Sequence, residues 1–428
     1  MPPGEQTDAE ARLTLSRERW LARYEEVRHE SEHLCRPLAI EDYVVQSVPE
    51  VSPPKWHLAH TSWFFETLLL EPFLQGYRIF HPQFGDLFNS YYRTLGEPFP
   101  RPRRGVLSRP TVAEVYRYRS HVDAAVAELI ESVDSGDLAY VAERLELGLH
   151  HEQQHQELLL MDVKHNFAIN PLRPAYHEAP EPAAPEAAPL AWVDFPGGVV
   201  TIGAASEGFA YDNERPRHEV ALAPYRLASR LVTNDEFAAF VEDGGYRRPE
   251  LWLADGWTTV TENAWQAPLY WERRDGTWWH MTLGGMRAMD PHEPVCHVSY
   301  YEADAFATWS GKRLPGEAEW EQAAAGLRVA GNLYDTGWLH PRPAKGEGLA
   351  QMFGDVWEWT ANSYEPYPGY RRAAGPLGEY NGKFMSNQRV LRGGACVTPT
   401  SHLRATYRNF FYPHDRWQFA GLRLADGP

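Results

Sequence analysis

Residues 138–167 read LAYVAERLELGLHHEQQHQELLLMDVKHNF, a run that no proline interrupts. Its length and pattern predict one long helix. Residues four apart on a helix lie one above the other, so His151 and His155 project side by side. Two imidazoles at that spacing can share one metal ion. A single histidine on a polar helix face is ordinarily solvated, but a pair at i, i+4 inside a bundle helix has few other purposes.

Three further helices are expected upstream. Between Ala9 and Leu34, apolar residues at Leu13, Trp20, Leu21, Tyr24 and Val27 recur close to helical spacing among charges. Pro53-Pro54 opens a second helix, KWHLAHTSWFFETLLL, because a first turn tolerates proline. A third runs from about Thr111 to Ser132. Four helices of this length suggest an antiparallel bundle. The aromatic, Pro- and Arg-rich stretch from Tyr77 to Pro110 is long for a loop in a compact domain, which marks it as functional or disordered.

A metal held by His151 and His155 needs a third ligand, and the second helix offers His57 and His60 among apolar neighbours Trp56, Leu58, Trp63 and Phe64. A buried imidazole without a partner is costly. The stripe Trp56–His60–Trp63–Thr67 favours His60 as the inward residue, although spacing does not exclude His57. His151-Glu152-Gln153-Gln154-His155 also matches the zinc-protease pattern HExxH, with Glu152 as general base. The confirming context is missing: the extended form needs HxxGxxH, but Leu158 and Met161 stand three and six residues past His155. Three neutral imidazoles with open positions suit redox iron, and zinc with a bound water equally.

Downstream, residues 171–190, PLRPAYHEAPEPAAPEAAPL, read as an extended Pro/Ala-rich linker between a helical domain (1–170) and a second domain (191–428). In that second domain, glycines and tryptophans punctuate short segments such as FPGGVVTIG, HEVALAPYRLA, WTTV and RVLRGGACV. Two helical stretches interrupt them: TNDEFAAFVED, capped by Thr233 or Asn234, and SYYEADAFATWSGK, capped by Ser299. The fold class is therefore multidomain, α followed by α+β, with no internal repeat.

The 428 residues carry a formal net charge of −17, which argues against nucleic acid or an anionic membrane as partner. At 43% hydrophobic and 23% charged the composition is globular. Cys35, Cys296 and Cys396 are few and far apart, which disfavours a thiolate zinc site, an iron–sulfur cluster or a disulfide framework. The N-terminal MPPGEQTDAEARL lacks a signal-peptide pattern, and no apolar run is long enough for a membrane span, so a cytoplasmic location is expected.

KWHLAH, HHEQQHQE and the C-terminal GDVWEWT, RVLRGG and AGLRLA, taken in that order, resemble the ergothioneine-biosynthesis sulfoxide synthases, EgtB, from about Ser16 to Ala425. That resemblance implies a DinB-like four-helix bundle joined to a formylglycine-generating-enzyme-type domain of C-type-lectin-like fold. It also implies an iron-dependent oxidoreductase whose Fe(II) sits on His60, His151 and His155. The implied reaction couples a thiol to C2 of the imidazole of Nα-trimethylhistidine (hercynine), with O2, as a hercynine oxygenase. Formylglycine-generating enzymes use a cysteine pair near the C-terminus, whereas here Cys396 stands alone, so the oxidase activity of that fold is not expected. The second domain then reads as a scaffold contributing substrate contacts.

The resemblance also suggests roles for single residues. Gln154 and Asn409 look like contacts to the trimethylhistidine. A trimethylammonium cannot donate hydrogen bonds and is best held by aromatic faces, for which Phe410, Tyr364 and Tyr367 are candidates. A catalytic acid is required, and tyrosine suits it. Some relatives place it where Tyr364 or Tyr367 stand; Tyr91-Tyr92, in the loop after the His60 helix, is favoured slightly. Relatives that use γ-glutamylcysteine carry Asn-Trp-Asp near the C-terminus, but here the run is Asn409-Phe410-Phe411. The missing acid would leave an α-ammonium unpaired, so free cysteine is the expected thiol. Its carboxylate would suit Arg101, Arg103 or Arg104, with Asp415 and Arg416 as alternatives nearer Asn409. Two other readings compete: the zinc hydrolase, and a DinB-type metal-binding module carrying a sugar-binding lectin-like domain. Oligomeric state and the order of O2 and substrate binding are not encoded legibly.

Overall fold

A computed structural model describes residues 3–134, 136–178, 187–346 and 348–427, with side chains from residue 16 onward. The chain divides into two compact units, Met1–Ile169 and Asn170–Pro428.

Unit one is built on four long helices: α1 (Pro3–Cys35), α2 (Pro54–Phe65), α3 (Val112–Ser132) and α4 (Leu138–Ile169). Pro54 starts α2, where a missing N–H costs nothing. At the start of α3, Thr111 accepts from the Glu114 N–H and the Glu114 carboxylate accepts from the Thr111 N–H, a reciprocal cap. All of α2 is buried, packed against α3 and α4, which is why its sequence is apolar nearly all round. α4 comes close to α2 at Gly148, where an added Cβ would lie 2.3 Å from the Phe65 ring.

The second helix does not continue as a plain α-helix to Leu70. Residues Glu66–Leu70 form a widened π turn, followed by a short helical turn at Glu71–Phe73. Its buried Glu66 accepts from Tyr77 Oη at 2.6 Å, Tyr118 Oη at 2.6 Å and the Phe80 N–H at 3.0 Å. That one carboxylate fastens α2, α3 and the start of the long loop together. The loop is ordered by short helical turns at Phe84–Phe88, Arg93–Leu95 and Arg101–Val106. At its far end Lys55 Nζ donates to the Pro110 carbonyl at 2.9 Å.

Unit two is α+β. Its strands are β1 (Trp192–Phe195), β2 (Gly198–Ile202), β3 (His218–Leu222), β4 (Tyr225–Ala228), β5 (Trp271–Arg274), β6 (Thr277–Thr282), β7 (Gly285–Ala288), β8 (Trp357–Ser363), β9 (Arg389–Arg392), β10 (Asn409–Phe411), β11 (Ala420–Gly421) and β12 (Ala425–Asp426). They form sheets in the orders β1-β4-β12, β10-β9-β8-β11 and β5-β6-β7, plus the hairpin β2-β3. Only the β11–β8 pairing is parallel among the described strands. Four helices of eight residues or more accompany them: α5 (Asn234–Glu242), α6 (Ala254–Glu262), α7 (Tyr300–Trp309) and α8 (Glu317–Ala324). Thr233 caps α5 and Ser299 caps α7, as their sequences predict.

Helices α6 and α8 are not among the two helical stretches expected here, and WTTV lies inside α6. Neither has an N-cap side-chain hydrogen bond, so the start signal was absent. The core of unit two holds paired charges among its tryptophans: Arg423 with Glu358, and Arg392 and Arg408 with Glu317. The linker is not a bare tether either. Tyr176 is buried and its N–H donates to the Leu283 carbonyl at 2.7 Å, and Ala188 bonds to Ala344 at 3.4 Å. Its centre, 179–186, lies outside the described residues. No described helix is long and apolar enough to cross a membrane.

Candidate metal centre

His60 from α2 and His151 and His155 from α4 converge, with one ring nitrogen from each lying within 4.8 Å of the others. The His60 and His151 Nε2 atoms are 3.2 Å apart, nose to nose. Packing explains the convergence. Trp56 stacks on His60 at 4.5 Å and Trp63 on its other side at 5.4 Å, while Phe64 stacks on His151 at 4.0 Å. The Phe88 carbonyl accepts from His60 Nδ1 at 2.6 Å, which leaves the Nε2 lone pair directed at the other two rings. Burial, reinforced by neighbouring imidazoles, holds all three well below the usual histidine range, so they are neutral donors. A neutral three-imidazole set, two of its rings buried and His155 half-buried, without thiolate or carboxylate, fits a borderline dication such as iron(II) or zinc.

His57 lies beside this group rather than replacing His60. Its Nδ1 is 2.9 Å from His155 Nδ1, and its Nε2 is 3.0 Å from Asp162 Oδ2. One turn of α2 thus presents both histidines that the sequence left open.

Glu152 has a different task from a general base. It is fully buried, and its oxygens accept from Arg28 at 2.8 Å, Arg119 at 3.0 Å and Ser31 at 2.6 Å. Against the cost of its burial, the two guanidiniums keep its carboxyl below the usual range. Helix α4 therefore offers two histidines to α2 while Glu152 cross-links α1 and α3. Sequence reasoning did not find Arg28, Arg119 or Ser31; the available signal was Arg28 and Ser31 lying among Tyr24, Val27 and Leu34 on the buried face of α1.

Other expected site residues of unit one are placed as follows. Tyr92 is buried, and its ring lies 5.5 Å from Trp63 and 4.6 Å from Tyr91, stacked. Arg104 is buried with its guanidinium 3.3 Å from the Trp56 ring centre and a bond to Ser52 at 2.8 Å, whereas Arg103 and Arg101 are exposed. Arg104, Trp56, His60 and Trp63 follow one another face to face, and Tyr92, tilted by 42° against Trp63, carries Tyr91 stacked on it. Gln154 is half-buried on α4 beside His155.

In unit two, Asn409 and Phe410 sit on β10, where Phe410 stacks on Tyr364 at 4.1 Å. Tyr364 is buried and its hydroxyl accepts from Asn213 at 2.9 Å; the Tyr367 hydroxyl accepts from Arg392 at 3.0 Å. Both phenols are raised by burial. These bonds make the two tyrosines part of the unit's own packing. Phe411 meets Trp417 edge-on at 5.6 Å. Arg416 is occupied by Glu302 and the Ala267 carbonyl, and Asp415 accepts from the Tyr412 N–H. His280, Glu293 and His340 also converge, but Arg287 clamps Glu293 at 2.5 and 2.6 Å, which makes this an ion-pair network. Cys35, Cys296 and Cys396 are buried free thiols.

Comparison with known proteins gives these units their class. Residues 23–159 match the DinB superfamily, and residues 178–346 and 339–427 match the sulfatase-modifying factor enzyme 1-like domain. The fold and site define a helical DinB unit with a metal-competent histidine triad, joined to an α+β unit of the formylglycine-generating-enzyme type. The chain is 34% identical to the hercynine oxygenase of Mycolicibacterium thermoresistibile, covering 88% of each chain. It is 32% identical to that of Mycolicibacterium smegmatis, covering 97% of this chain and 99% of the other. The formylglycine-generating enzyme of Streptomyces coelicolor is 32% identical over 55% of this chain and 88% of its own. The chain belongs to the hercynine oxygenase family and is an oxidoreductase.

Proposed function

We propose that the protein uses iron(II) and O2 to join the sulfur of a thiol to C2 of the hercynine imidazole, yielding a sulfoxide on the way to ergothioneine. The balance is closed: the S–H and C2–H bonds break, a C–S bond forms, one oxygen atom ends on sulfur and the other leaves as water. The observation that carries this reading is the triad His60–His151–His155, with His60 and His151 buried, in a chain of this family. Iron held there would supply open coordination positions and one-electron chemistry.

The chain's own residues would bind and exclude water. The row of planar groups from Arg104 to Tyr91 runs through His60, and its buried members Trp56, Trp63 and Tyr92 would keep solvent from that ligand. Tyr91 or Tyr92 would hold the proton delivered from a phenol Oη. Arg104, buried against Trp56, which in turn stacks on His60, is the better candidate for the thiol's carboxylate. Gln154, Asn409 and Phe410 would contact hercynine. Phe411, where an acid would suit γ-glutamylcysteine, favours cysteine.

Anaerobic loading with Fe(II), followed by oxygen consumption with hercynine and either thiol, tests this. Uptake should require both organic substrates, be faster with cysteine, and vanish in His151→Ala. An iron-loaded protein that consumes no oxygen with either thiol would remove the proposal.

A further inference from the structure

We propose that Asp162 and His57 are positioning residues that fix the proton pattern of His155 and so prepare its Nε2 for the metal. This rests on the metal-centre reading above. Three contacts carry it, between α4 and α2 with the segment just before α2. Asp162 Oδ2 lies 3.0 Å from His57 Nε2 and also accepts from the Ser52 N–H at 2.7 Å. The next link is His57 Nδ1 to His155 Nδ1 at 2.9 Å. Asp162 and His57 sit in the interior beside the triad, 2% and 3% exposed.

The proton count along this chain has one solution when His155 serves as a ligand. His155 Nδ1 faces His57, so Nε2 is the nitrogen left for a cation, and it must be bare. A neutral imidazole with bare Nε2 carries its proton on Nδ1, which makes that atom a donor. His57 Nδ1 must then accept, so its own proton sits on Nε2. That proton needs an acceptor, and a carboxylate can only accept. Asp162 is therefore the group that sets the tautomer of both rings. The Ser52 N–H, bonded to the same oxygen, holds the carboxylate in place. His60 reaches the same state by a shorter route, through the Phe88 carbonyl. Without Asp162 the opposite pattern, with a proton on His155 Nε2, becomes accessible and blocks the site. Partners of this kind typically change metal affinity 10- to 100-fold.

The experiment compares His57→Phe, His57→Gln and Asp162→Asn in the full chain. Fe(II) affinity is measured by anaerobic chelator competition, the Co(II) absorption spectrum is recorded at saturation, and each metal-free melting point is taken. Phenylalanine keeps the ring but cannot accept, so His57→Phe should bind Fe(II) about 10- to 100-fold more weakly. Glutamine can accept from His155 and donate to Asp162, so His57→Gln should recover most of that loss. Asp162→Asn keeps an oxygen for both donors but loses the charge, and should fall between, with a shifted Co(II) band that a purely structural role would leave alone. Should His57→Phe fail to fold, Asp162→Asn and His57→Gln decide the matter: wild-type affinity and spectrum in Asp162→Asn overturn the inference. Equal affinity in all forms, or equal loss in the phenylalanine and glutamine variants, also overturns it while leaving the metal centre standing. A wild-type chain that binds neither metal removes the metal-centre reading itself.

Discussion

Glu152 separates the competing chemistries at the scale of one residue. A zinc hydrolase would need its carboxylate free to take a proton from a metal-bound water. Instead it lies between Arg28 and Arg119, all three essentially excluded from solvent. Removing the charge leaves Arg28 only Asp123 and Arg119 only Glu32, both partly exposed partners, so the cost should come at or below the about 3–5 kcal/mol of an uncompensated buried charge. Glu152→Gln should therefore lower stability by that order in denaturant titrations while the folded fraction still binds Fe(II). A hydrolase would show the reverse, a stable protein with its reaction abolished. The metal itself should be lost in His60→Ala, measured as iron per chain after anaerobic loading, because a triad reduced to two ligands on one helix loses its third corner. His151 and His155 were legible in the sequence because their relation is local, four residues along one helix. His60 was favoured over His57 but not separated from it, since both lie on a helix buried on every side. Arg28, Arg119 and Asp162 were not legible, because each acquires meaning only from a helix distant in sequence.

Elements set the distances that those residues need. The triad is split between α2 and α4, so its geometry depends on how closely these helices pack, and Gly148 marks their near approach. Alanine there would gain about 1 kcal/mol of helix propensity. Against this, its Cβ would meet the buried Phe65 ring at 2.3 Å, and overpacking of that kind costs about 1–3 kcal/mol with displacement of neighbours. The clash should win. Gly148→Ala is expected to lower the melting point and weaken Fe(II) binding together, and an unchanged iron affinity would show that the helix spacing is not limiting. The four-helix plan and the caps at Thr233, offered there with Asn234, and Ser299 follow from local patterns legible in the sequence, and the reciprocal cap at Thr111 adds a local signal that the reading did not use. The π turn at Glu66–Leu70 was not, because it depends on three donors from α3 and the loop meeting one carboxylate. Helices α6 and α8 escaped for different reasons: tryptophan, threonine and glycine obscure the pattern of α6, whereas the short α8 opens on Gly316 and its first N–H groups are held by Glu319 and the sequence-distant Asn362.

For the whole chain, acid has two opposed effects. The formal net charge is −17 and the isoelectric point about 5.5, so lowering pH from 7 removes self-repulsion and favours the compact state. That gain is spread over the surface and screened beyond about 8 Å at physiological salt. The buried histidines act the other way. His60, His151 and His155 have folded pKa values depressed by burial, whereas in the unfolded chain they take up protons near 6.5. Their contribution is present above about pH 6.5 and is lost as pH falls below it, because only the unfolded state binds those protons. Three such groups give a slope of up to about 4 kcal/mol per pH unit, which exceeds what screened surface repulsion returns. Metal-free protein should therefore melt at progressively lower temperature from pH 7 to 5.5, followed by the helical far-ultraviolet signal at constant ionic strength. Saturating Co(II) should stabilise the chain at pH 7 by about 2.7 kcal/mol at a hundred times its Kd and so raise the melting point, and this gain should shrink in acid as protons compete for the ring nitrogens. A metal-free melting point that climbs toward the isoelectric point would mean that surface charge, not the histidine core, governs stability in this range.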